Sequence, residues 1–385
     1  MIGAVDTRTL PANPSPAPIE QWRYFMNRYG KGLIVAGSLI AAGMGVTDAK
    51  AAAASGATAC PATPMPPGMR NMPPIPLASS VKPSDASTSI VIKPNPADQI
   101  ECGHTPLKTV ADVAFAHVPG PGGQPRALAL DILQPATPGK HPLVVYVPGG
   151  GFVIAPKEAA LNLRSYVAES GVVVASVQYR TAMDGANFRD GIADVKSAIR
   201  YLRAHAAEYG IDPAHVAVWG ESAGGYVAAM VGVTNGVKSF DRGDNLDQSS
   251  AVQAVVDKFG TSDTQNVAED FNPEMRGMSA PGSPIASYMT ESGTAFPPAS
   301  NPLTYISKSS PPFLIFHGNN DRLVSPSQTL RLHNALRAAG APSTRYVLDG
   351  ANHGDLAFTG DPAAALAWSS KEAMNIIVKF LHDPK

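Results

Sequence analysis

The stretch Val216–Val233, VAVWGESAGGYVAAMVGV, decides how this chain folds. It opens with an apolar run of strand length, passes through GESAG at 220–224, and continues into small and apolar residues of helix length. A strand that turns sharply into a helix at G-x-S-x-G holds its serine in a strained backbone conformation, and the small neighbours keep that turn free of collisions. The sequence therefore predicts that Ser222 stands at the end of a strand, above the edge of a sheet.

Strands and helices alternate on both sides of this stretch. Apolar runs without polar alternation suit a parallel sheet that helices cover on both faces. Runs of strand length are Leu143–Val147, Val172–Val177, Ala254–Asp257, Phe313–His317 and Thr344–Leu348. Segments of helix length are Glu158–Ser170, Gly191–Glu208, Ser327–Ala339 and Ala363–Leu381. We predict an α/β fold with a doubly wound, mostly parallel sheet flanked by helices.

A serine hydroxyl becomes a useful nucleophile when a histidine, oriented by a carboxylate, accepts its proton. His353 lies in a glycine-rich turn directly after a predicted strand, from which a mobile imidazole can reach Ser222. His317 closes a strand, so we do not expect it to be the base. Asp321 follows a strand end and is predicted to orient His353. The rival acids Asp349 and Asp355 are so close to His353 in sequence that the required geometry is awkward.

The loop Pro148–Phe152, PGGGF, follows a predicted strand immediately. Its three glycines let the backbone approach a substrate and turn amides toward it. We predict that the amides of Gly150, Gly151 and Ala223 form an oxyanion hole. A glycine-rich phosphate loop is the competing interpretation, but the P-loop lysine and the G-x-G-x-x-G spacing are both missing.

Five motifs in a fixed order resemble the α/β-hydrolase superfamily. They are PGGGF (148–152), QYR (178–180), GESAGG (220–225), HGNND (317–321) and ANHGD (351–355). More narrowly, residues 110–382 are similar to the esterase/lipase branch that includes hormone-sensitive-lipase-like carboxylesterases and bacterial feruloyl or acetyl-xylan esterase-like proteins. The resemblance implies a serine esterase for small-molecule esters, with a triad of Ser222, His353 and Asp321. Most relatives begin the oxyanion loop with a histidine, thought to brace it, where this chain has Pro148.

Because the triad and the amides complete the reaction, no metal or organic cofactor is implied. An arylformamidase-like amidase of the same fold is the main alternative, and a non-catalytic binding relative is a further one. The segment Gly260–Ser310 lacks the long amphipathic helix of a lipase, so we expect short-chain or small aromatic esters. Five aromatic residues either wall a compact pocket or belong to the core: Phe152, Tyr226, Phe271, Tyr288 and Phe296.

The N-terminal residues predict export. The apolar run Gly32–Val46 is shorter than the roughly 20 residues of a spanning helix, and a basic segment precedes it. Ala49-Lys50-Ala51 provides a small-x-small cleavage site, which completes the layout of a secretory signal. We predict a signal region over 1–51, a translation start at Met26, and a periplasmic or secreted protein without stable membrane insertion after cleavage. An uncleaved membrane anchor is the alternative.

Residues 52–106 are rich in Pro, Ala, Ser and Thr, and we predict a flexible leader ahead of a catalytic domain over 107–385. Cys60 and Cys102 lie in this leader, and the sequence leaves open whether they pair. The chain of 385 residues has 30 basic and 31 acidic residues, a formal net charge of −1. This balance provides no bulk positive field for nucleic acid. The oligomeric state is not set by these features.

Overall fold

The structure is a computed structural model that describes residues 58–61, 85–120, 123–267, 280–291, 296–354 and 365–385. These residues fall within one compact unit, Ala49–Lys385. The predicted signal region, with its apolar run Gly32–Val46, lies outside the described residues. No helix among those described is long and apolar enough to cross a membrane.

The described residues contain eleven strands and six α-helices. The strands are β1 Thr58–Ala59, β2 Ile90–Ile92, β3 Glu101–Cys102, β4 Leu107–Pro119, β5 Pro125–Pro135, β6 His141–Val147, β7 Val173–Val177, β8 Ile211–Glu221, β9 Ala254–Lys258, β10 Phe313–Gly318 and β11 Ser343–Leu348. The helices are α1 Leu161–Glu169, α2 Phe188–Ala204, α3 Ala223–Val233, α4 Pro284–Met289, α5 Ser327–Ala338 and α6 Lys371–His382.

Within the described part of the chain, nine strands form one sheet in the order β2-β11-β10-β9-β8-β6-β7-β5-β4. Strand β5 pairs antiparallel with both of its neighbours, whereas the pairs from β2 across to β7 are parallel. The predicted mostly parallel, doubly wound sheet is therefore confirmed. The antiparallel β4–β5 hairpin at one edge was not predicted.

Helices on both faces of the sheet bury two apolar clusters. Along β6, Leu143, Val145 and Val147 belong to one cluster, while Val144 and Tyr146 belong to the other. Successive side chains of a strand point to opposite faces, so a strand buried on both faces shows no polar alternation. This is why the apolar runs in the sequence located the central strands correctly.

The prediction of a flexible leader is wrong for residues 85–106, because this part of the chain is built into the domain. Strand β2 pairs parallel with the edge strand β11, and β3 pairs with β1. A disulfide joins Cys60 to Cys102, and the Cys102 side chain is buried. Two- and three-residue strands in a proline-rich context are too short for a periodic pattern to reveal.

Candidate active site

Ser222 lies between β8 and α3 with φ 55° and ψ −121°, a strained conformation for a residue other than glycine. The two glycines of this turn, the elbow formed by residues 220–224, make that conformation possible. A Cβ atom on Gly220 would lie 2.0 Å from the carbonyl oxygen of Gly224, and a Cβ on Gly224 would lie 2.0 Å from that of Val147. The elbow therefore requires glycine on both sides of the serine, as its G-x-S-x-G sequence predicts.

The structure brings Ser222, His353 and Asp321 into one hydrogen-bonded chain. Ser222 Oγ is 2.8 Å from His353 Nε2, and His353 Nδ1 is 2.7 Å from Asp321 Oδ2. The other carboxylate oxygen, Oδ1, accepts hydrogen bonds from the backbone amides of Leu323 and Val324, each at 2.9 Å. The three residues follow the carboxyl ends of β8, β11 and β10, which meet at one edge of a parallel sheet.

A second imidazole, that of His317, also contacts Asp321, with its Nε2 3.1 Å from Oδ2. Burial by itself would raise the pKa of Asp321, but its interactions with His353 and His317 outweigh that effect. Together they hold the pKa of that carboxyl well below its ordinary value, so Asp321 is ionised at neutral pH. Sequence reasoning missed this contact, although His317 stands only four residues before Asp321.

The turn that carries His353 is buried and tightly held, which differs from the mobile turn expected. Asn352 Oδ1 accepts hydrogen bonds from the amides of His353, at 2.8 Å, and Arg322, at 3.2 Å. Trp368 Nε1 donates to the Asn352 carbonyl at 2.9 Å. The Phe259 ring packs edge-on against the His353 ring, with 4.6 Å between centroids. The imidazole is thus positioned before any substrate binds.

Of the rival acids, Asp349 accepts a hydrogen bond from Asn319 Nδ2 at 2.8 Å and lies 3.6 Å from the exposed Lys93 ammonium group. It therefore belongs to a surface turn. Asp355 lies outside the described residues.

The predicted oxyanion loop lies directly against the serine. A Cβ on Gly149 would be 2.9 Å from the Glu221 carbonyl oxygen and 3.2 Å from Ser222 Cβ. Gly150 has φ +144°, and a Cβ there would lie 2.2 Å from the Ile154 carbonyl oxygen. Ala223 is the first residue of α3, where amides have no acceptor within their own helix. The structure thus places the loop against Ser222 at Gly149, and the amides of Gly150, Gly151 and Ala223 stay the predicted donors of the oxyanion hole.

Tyr179 is a residue of the site that sequence reasoning missed. Its hydroxyl donates a hydrogen bond to the Pro148 carbonyl oxygen at 3.0 Å, and its side chain is fully buried. Burial raises the pKa of Tyr179, so the phenol keeps its proton and remains a donor. The signal for it was the QYR motif at 178–180, whose tyrosine had no predicted role.

A buried ion pair joins the residue before Ser222 to the neighbouring strand β9. Lys258 Nζ lies 2.6 Å from Glu221 Oε1, and both side chains are largely shielded from solvent. The same ammonium group lies 5.1 Å from the Trp368 ring centroid. Glu221, the residue before the nucleophile, is thereby held on the sheet.

A backbone hydrogen bond ties the elbow to the neighbouring strand, because the Ser222 amide donates to the Lys258 carbonyl at the end of β9 across 2.9 Å. Strand β9 in turn pairs with β8 from Ala217 to Glu221. The strained serine is therefore held both by its own strand and by the next one.

Three of the five aromatic residues considered for a pocket wall belong to the core. The Phe152 ring stacks on Tyr288 at 4.8 Å and meets Tyr226 edge-on at 5.5 Å, and all three side chains are buried. Phe296 is partly buried and packs against the same cluster. Phe271 lies outside the described residues. Since Phe152 is the last residue of the oxyanion loop and Tyr226 lies one turn after Ser222, this cluster fills the space beside the loop.

The sheet order, the elbow at Ser222 and the placement of His353 and Asp321 after neighbouring strands define an α/β-hydrolase fold. The chain matches the model of the BD-FAE family over residues 130–336, and it belongs to that family.

Curated relatives and a solved structure agree with this assignment. The chain is 32% identical over 245 residues to esterase LipQ of Mycobacterium tuberculosis, covering 62% of this chain and 57% of LipQ. It is also 32% identical over 249 residues to a probable isoprenylcysteine alpha-carbonyl methylesterase of Arabidopsis thaliana, covering 63% and 51%. The chain thus spans little more than half the length of these relatives. Esterase Est2 of Thermogutta terrifontis, in a butyrate-bound structure, aligns with a TM-score of 0.55 at 25% identity, covering 73% of this chain and 96% of that one.

Proposed function

We propose that this protein is a serine carboxylic-ester hydrolase that works through an acyl-enzyme. The observation that carries the proposal is the hydrogen-bonded chain from Ser222 Oγ through His353 to Asp321, with distances of 2.8 and 2.7 Å. This is the arrangement in which a histidine can accept a serine proton while a carboxylate orients it. The esterase names of the relatives support the same reaction class.

In the acylation half, Ser222 Oγ attacks the ester carbonyl carbon while His353 Nε2 accepts the hydroxyl proton. Asp321 stays ionised and holds the Nδ1–H of His353, which stabilises the imidazolium that forms. The carbonyl oxygen becomes an oxyanion, and the amides of Gly150, Gly151 and Ala223 donate hydrogen bonds to it. When the tetrahedral intermediate collapses, His353 gives its proton to the alkoxide, and the alcohol leaves.

In the deacylation half, a water molecule takes the place of the alcohol. His353 removes one water proton as the water oxygen attacks the acyl carbonyl carbon, and the same amides stabilise the second oxyanion. His353 then returns the proton to Ser222 Oγ, and the carboxylic acid is released. The cycle consumes one ester and one water, and it regenerates the free enzyme.

We propose that the substrates are short-chain or small aromatic esters. The buried cluster of Phe152, Tyr226 and Tyr288 supports this size limit, because it fills the space beside the oxyanion loop. Within the described part of Gly260–Ser310, the α-helix is α4, with only six residues. This is too short for the apolar face with which a lipase meets an oil surface. The butyrate bound to the Thermogutta esterase is also a short acyl group.

The experiment compares p-nitrophenyl acetate with its matched anilide and with N-formylkynurenine, using wild type, Ser222→Ala and the exposed-loop control Ser309→Ala. We expect the ester to be the preferred substrate, Ser222→Ala to lose nearly all turnover, and an organophosphate to label Ser222. Preference for the formamide would favour the arylformamidase-like alternative. Full activity of folded Ser222→Ala would overturn the mechanism, and absence of all turnover and labelling in wild type would favour a binding protein.

We also propose that the protein is exported to the periplasm or the medium, where disulfides form and persist. The Cys60–Cys102 disulfide is the structural feature that supports this proposal. Mass spectrometry of the mature N-terminus, with thiol titration under denaturing conditions, tests it. A cytoplasmic protein with two free thiols and an uncleaved N-terminus would contradict the proposal.

A further inference from the structure

His317 lies in a chain of buried polar groups that ends on the proposed triad. Its Nε2 is 3.1 Å from Asp321 Oδ2 and 3.0 Å from the Val324 carbonyl oxygen. Its Nδ1 is 2.8 Å from Thr329 Oγ1, and Thr329 Oγ1 is 3.1 Å from Arg345 Nε. The side chains of His317, Asp321, Thr329 and Arg345 are each no more than 1% exposed. The geometry of this hydrogen-bonded series determines which ring nitrogen of His317 carries the proton.

The neighbours of His317 Nε2 are both acceptors. A carboxylate oxygen and a carbonyl oxygen have only lone pairs to offer, so a deprotonated Nε2 would face two repulsive contacts. Nε2 therefore carries a proton and shares it between Asp321 and Val324. Burial lowers the pKa of His317, so the ring is neutral at pH 7 and its other nitrogen carries no proton.

The hydrogen bonds at the Arg345 end of this buried series require the same tautomer of His317. The Nε–H of Arg345 can only donate, so Thr329 Oγ1 accepts from it. The Thr329 hydroxyl then has its own proton to give, and Nδ1 of His317 at 2.8 Å is a nearer acceptor than the Pro326 carbonyl at 3.4 Å. Every hydrogen bond thus points from Arg345 toward Asp321. Arg345 is itself fixed by Ser89 Oγ at 2.8 Å and the Pro326 carbonyl at 3.0 Å.

We propose that His317 is a positioning residue of the active site: a neutral Nε2–H imidazole that donates to Asp321, with its tautomer set by Thr329 and Arg345. Asp321 Oδ2 then accepts from two imidazoles at once, while Oδ1 accepts from two backbone amides. A carboxylate with four donors has little freedom to rotate away from His353. The proposal rests on the proposed function insofar as Asp321 serves as the acid of the triad.

The charged and titratable groups around His317 come from three directions. Asp321 follows β10, the strand that carries His317. His353 contacts the Asp321 carboxylate from the turn after β11. Arg345 lies on β11, and its charge interacts with the buried Asp257 of β9. A substitution at His317 is therefore expected to affect His353 mainly through Asp321, the carboxylate that both imidazoles contact.

The first experiment reads the tautomer directly, without any assay of activity. Two-dimensional ¹⁵N–¹H spectra of ring-labelled protein distinguish an Nε2–H from an Nδ1–H imidazole, and His317→Gln assigns the signal. We expect an Nε2–H neutral ring at pH 7 in the wild type. An Nδ1–H or doubly protonated His317 would overturn the proposal, whatever reaction the protein catalyses.

The second experiment is kinetic and uses His333→Phe as the matched control. His333 is also a buried imidazole with two hydrogen bonds, to Ser343 Oγ and the Thr88 carbonyl, but it does not touch the triad. We expect His317→Phe to lower kcat about 10-fold, as for the loss of one hydrogen bond to a charged group, with little change in KM. With one donor fewer, Asp321 is a stronger acceptor for the Nδ1–H of His353, so the acidic limb of kcat/KM should move to higher pH.

Two further variants keep the test decisive if His317→Phe fails to fold. His317→Gln restores a hydrogen-bond donor near Asp321 and should recover most of kcat. Thr329→Val removes the hydroxyl at nearly constant shape. It should shift the pH profile in the same direction as His317→Phe. His333→Phe should lower thermal stability alone. If the His317 and Thr329 variants change stability but leave kcat and the acidic limb as in His333→Phe, the positioning role is wrong. Loss of Ser222 dependence would instead contradict the proposed function and leave the tautomer result standing.

Discussion

The hydroxyl of Tyr179 donates a hydrogen bond to the carbonyl oxygen of Pro148 across 3.0 Å. Pro148 is the first residue of the oxyanion loop, in the place where the resemblance to the esterase/lipase branch implies a histidine. Because Tyr179 is fully buried, its hydroxyl holds the peptide between Pro148 and Gly149 in one orientation. A tyrosine from the next segment of the sheet thus offers this chain a different means of fixing the loop.

Replacing Tyr179 with phenylalanine removes this hydrogen bond without removing the ring. We expect kcat to fall about 10-fold, because one donor of an oxyanion hole contributes roughly 10²–10³ in rate and a misplaced loop loses part of that. KM should change little. Tyr166→Phe is the control, since its hydroxyl donates to Asn375 far along the chain from the loop. Equal kcat values for the two variants and wild type would show that the loop does not depend on Tyr179.

Alanine substitutions at the second and third glycines of the loop, Gly150 and Gly151, should have unequal effects. A Cβ at Gly150 would lie 2.2 Å from the Ile154 carbonyl oxygen, so the backbone must move. Gly151 has φ +61°, but a Cβ there meets nothing within 4 Å. We expect Gly150→Ala to lose about 10²–10³ in kcat and Gly151→Ala to lose less than about 10-fold, because its strain amounts to about 1–2 kcal/mol. The measurement is kcat per titrated active site, and the reverse order would place the hole elsewhere.

Rates on p-nitrophenyl esters should be highest for short acyl chains and should fall steeply toward palmitate. The reason is the packed cluster of Phe152, Tyr226 and Tyr288 beside the oxyanion loop. Phe152→Ala should open this space and move the maximum toward longer chains. A wild-type maximum at long chains, or a jump in activity at the solubility limit of the substrate, would instead indicate a lipase.

Asp257 is a fully buried carboxyl next to the elbow, on β9. Its Oδ1 accepts a hydrogen bond from the Gly260 amide at 3.0 Å, and its Oδ2 has no partner among the described residues. Burial raises the pKa of Asp257 to about 7, although the Gly260 amide and the charge of Arg345 oppose the shift. The folded protein therefore holds a proton there that the unfolded chain releases above its ordinary pKa of 3.8.

The effect of Asp257 on stability follows from that difference. Because the pKa of Asp257 is raised in the folded state, protonation of this carboxyl stabilises the fold. The full contribution to the free energy of unfolding, on the order of 4 kcal/mol, is present below about pH 4 and is lost as pH rises to about 7. Asp257→Asn cannot ionise and still accepts from Gly260. We expect wild type to lose stability relative to the variant between about pH 4.5 and 8, measured by urea unfolding at each pH. A difference that stays constant with pH would show that Asp257 does not titrate in this range.

The central strands and the elbow could be predicted because their signals are local. Val144 and Val145 point to opposite faces of the sheet, and both faces are covered. Such a strand therefore appears in the sequence as an uninterrupted run of apolar residues. Placing Asp321 and His353 after strand ends needed only the rule that parallel strands end at the same edge. The contacts of Tyr179 and His317 could not be predicted in this way. Each depends on where a side chain points after strands distant in sequence have paired.

Among the described residues, β2 is the first strand of the large sheet to be synthesised, and β11, with which it pairs, is the last. Ser89 and Arg345, which join at this edge, are 256 residues apart, whereas the disulfide closes a separation of 42. Closing the longer loop costs about 1.6 kcal/mol more in chain entropy. Because the N-terminal end emerges first, the covalent link can form while the sheet is still incomplete. A nascent chain must therefore carry β2 unpaired until β11 has been made, and any chain cut short before residue 343 would leave β10 as an open edge.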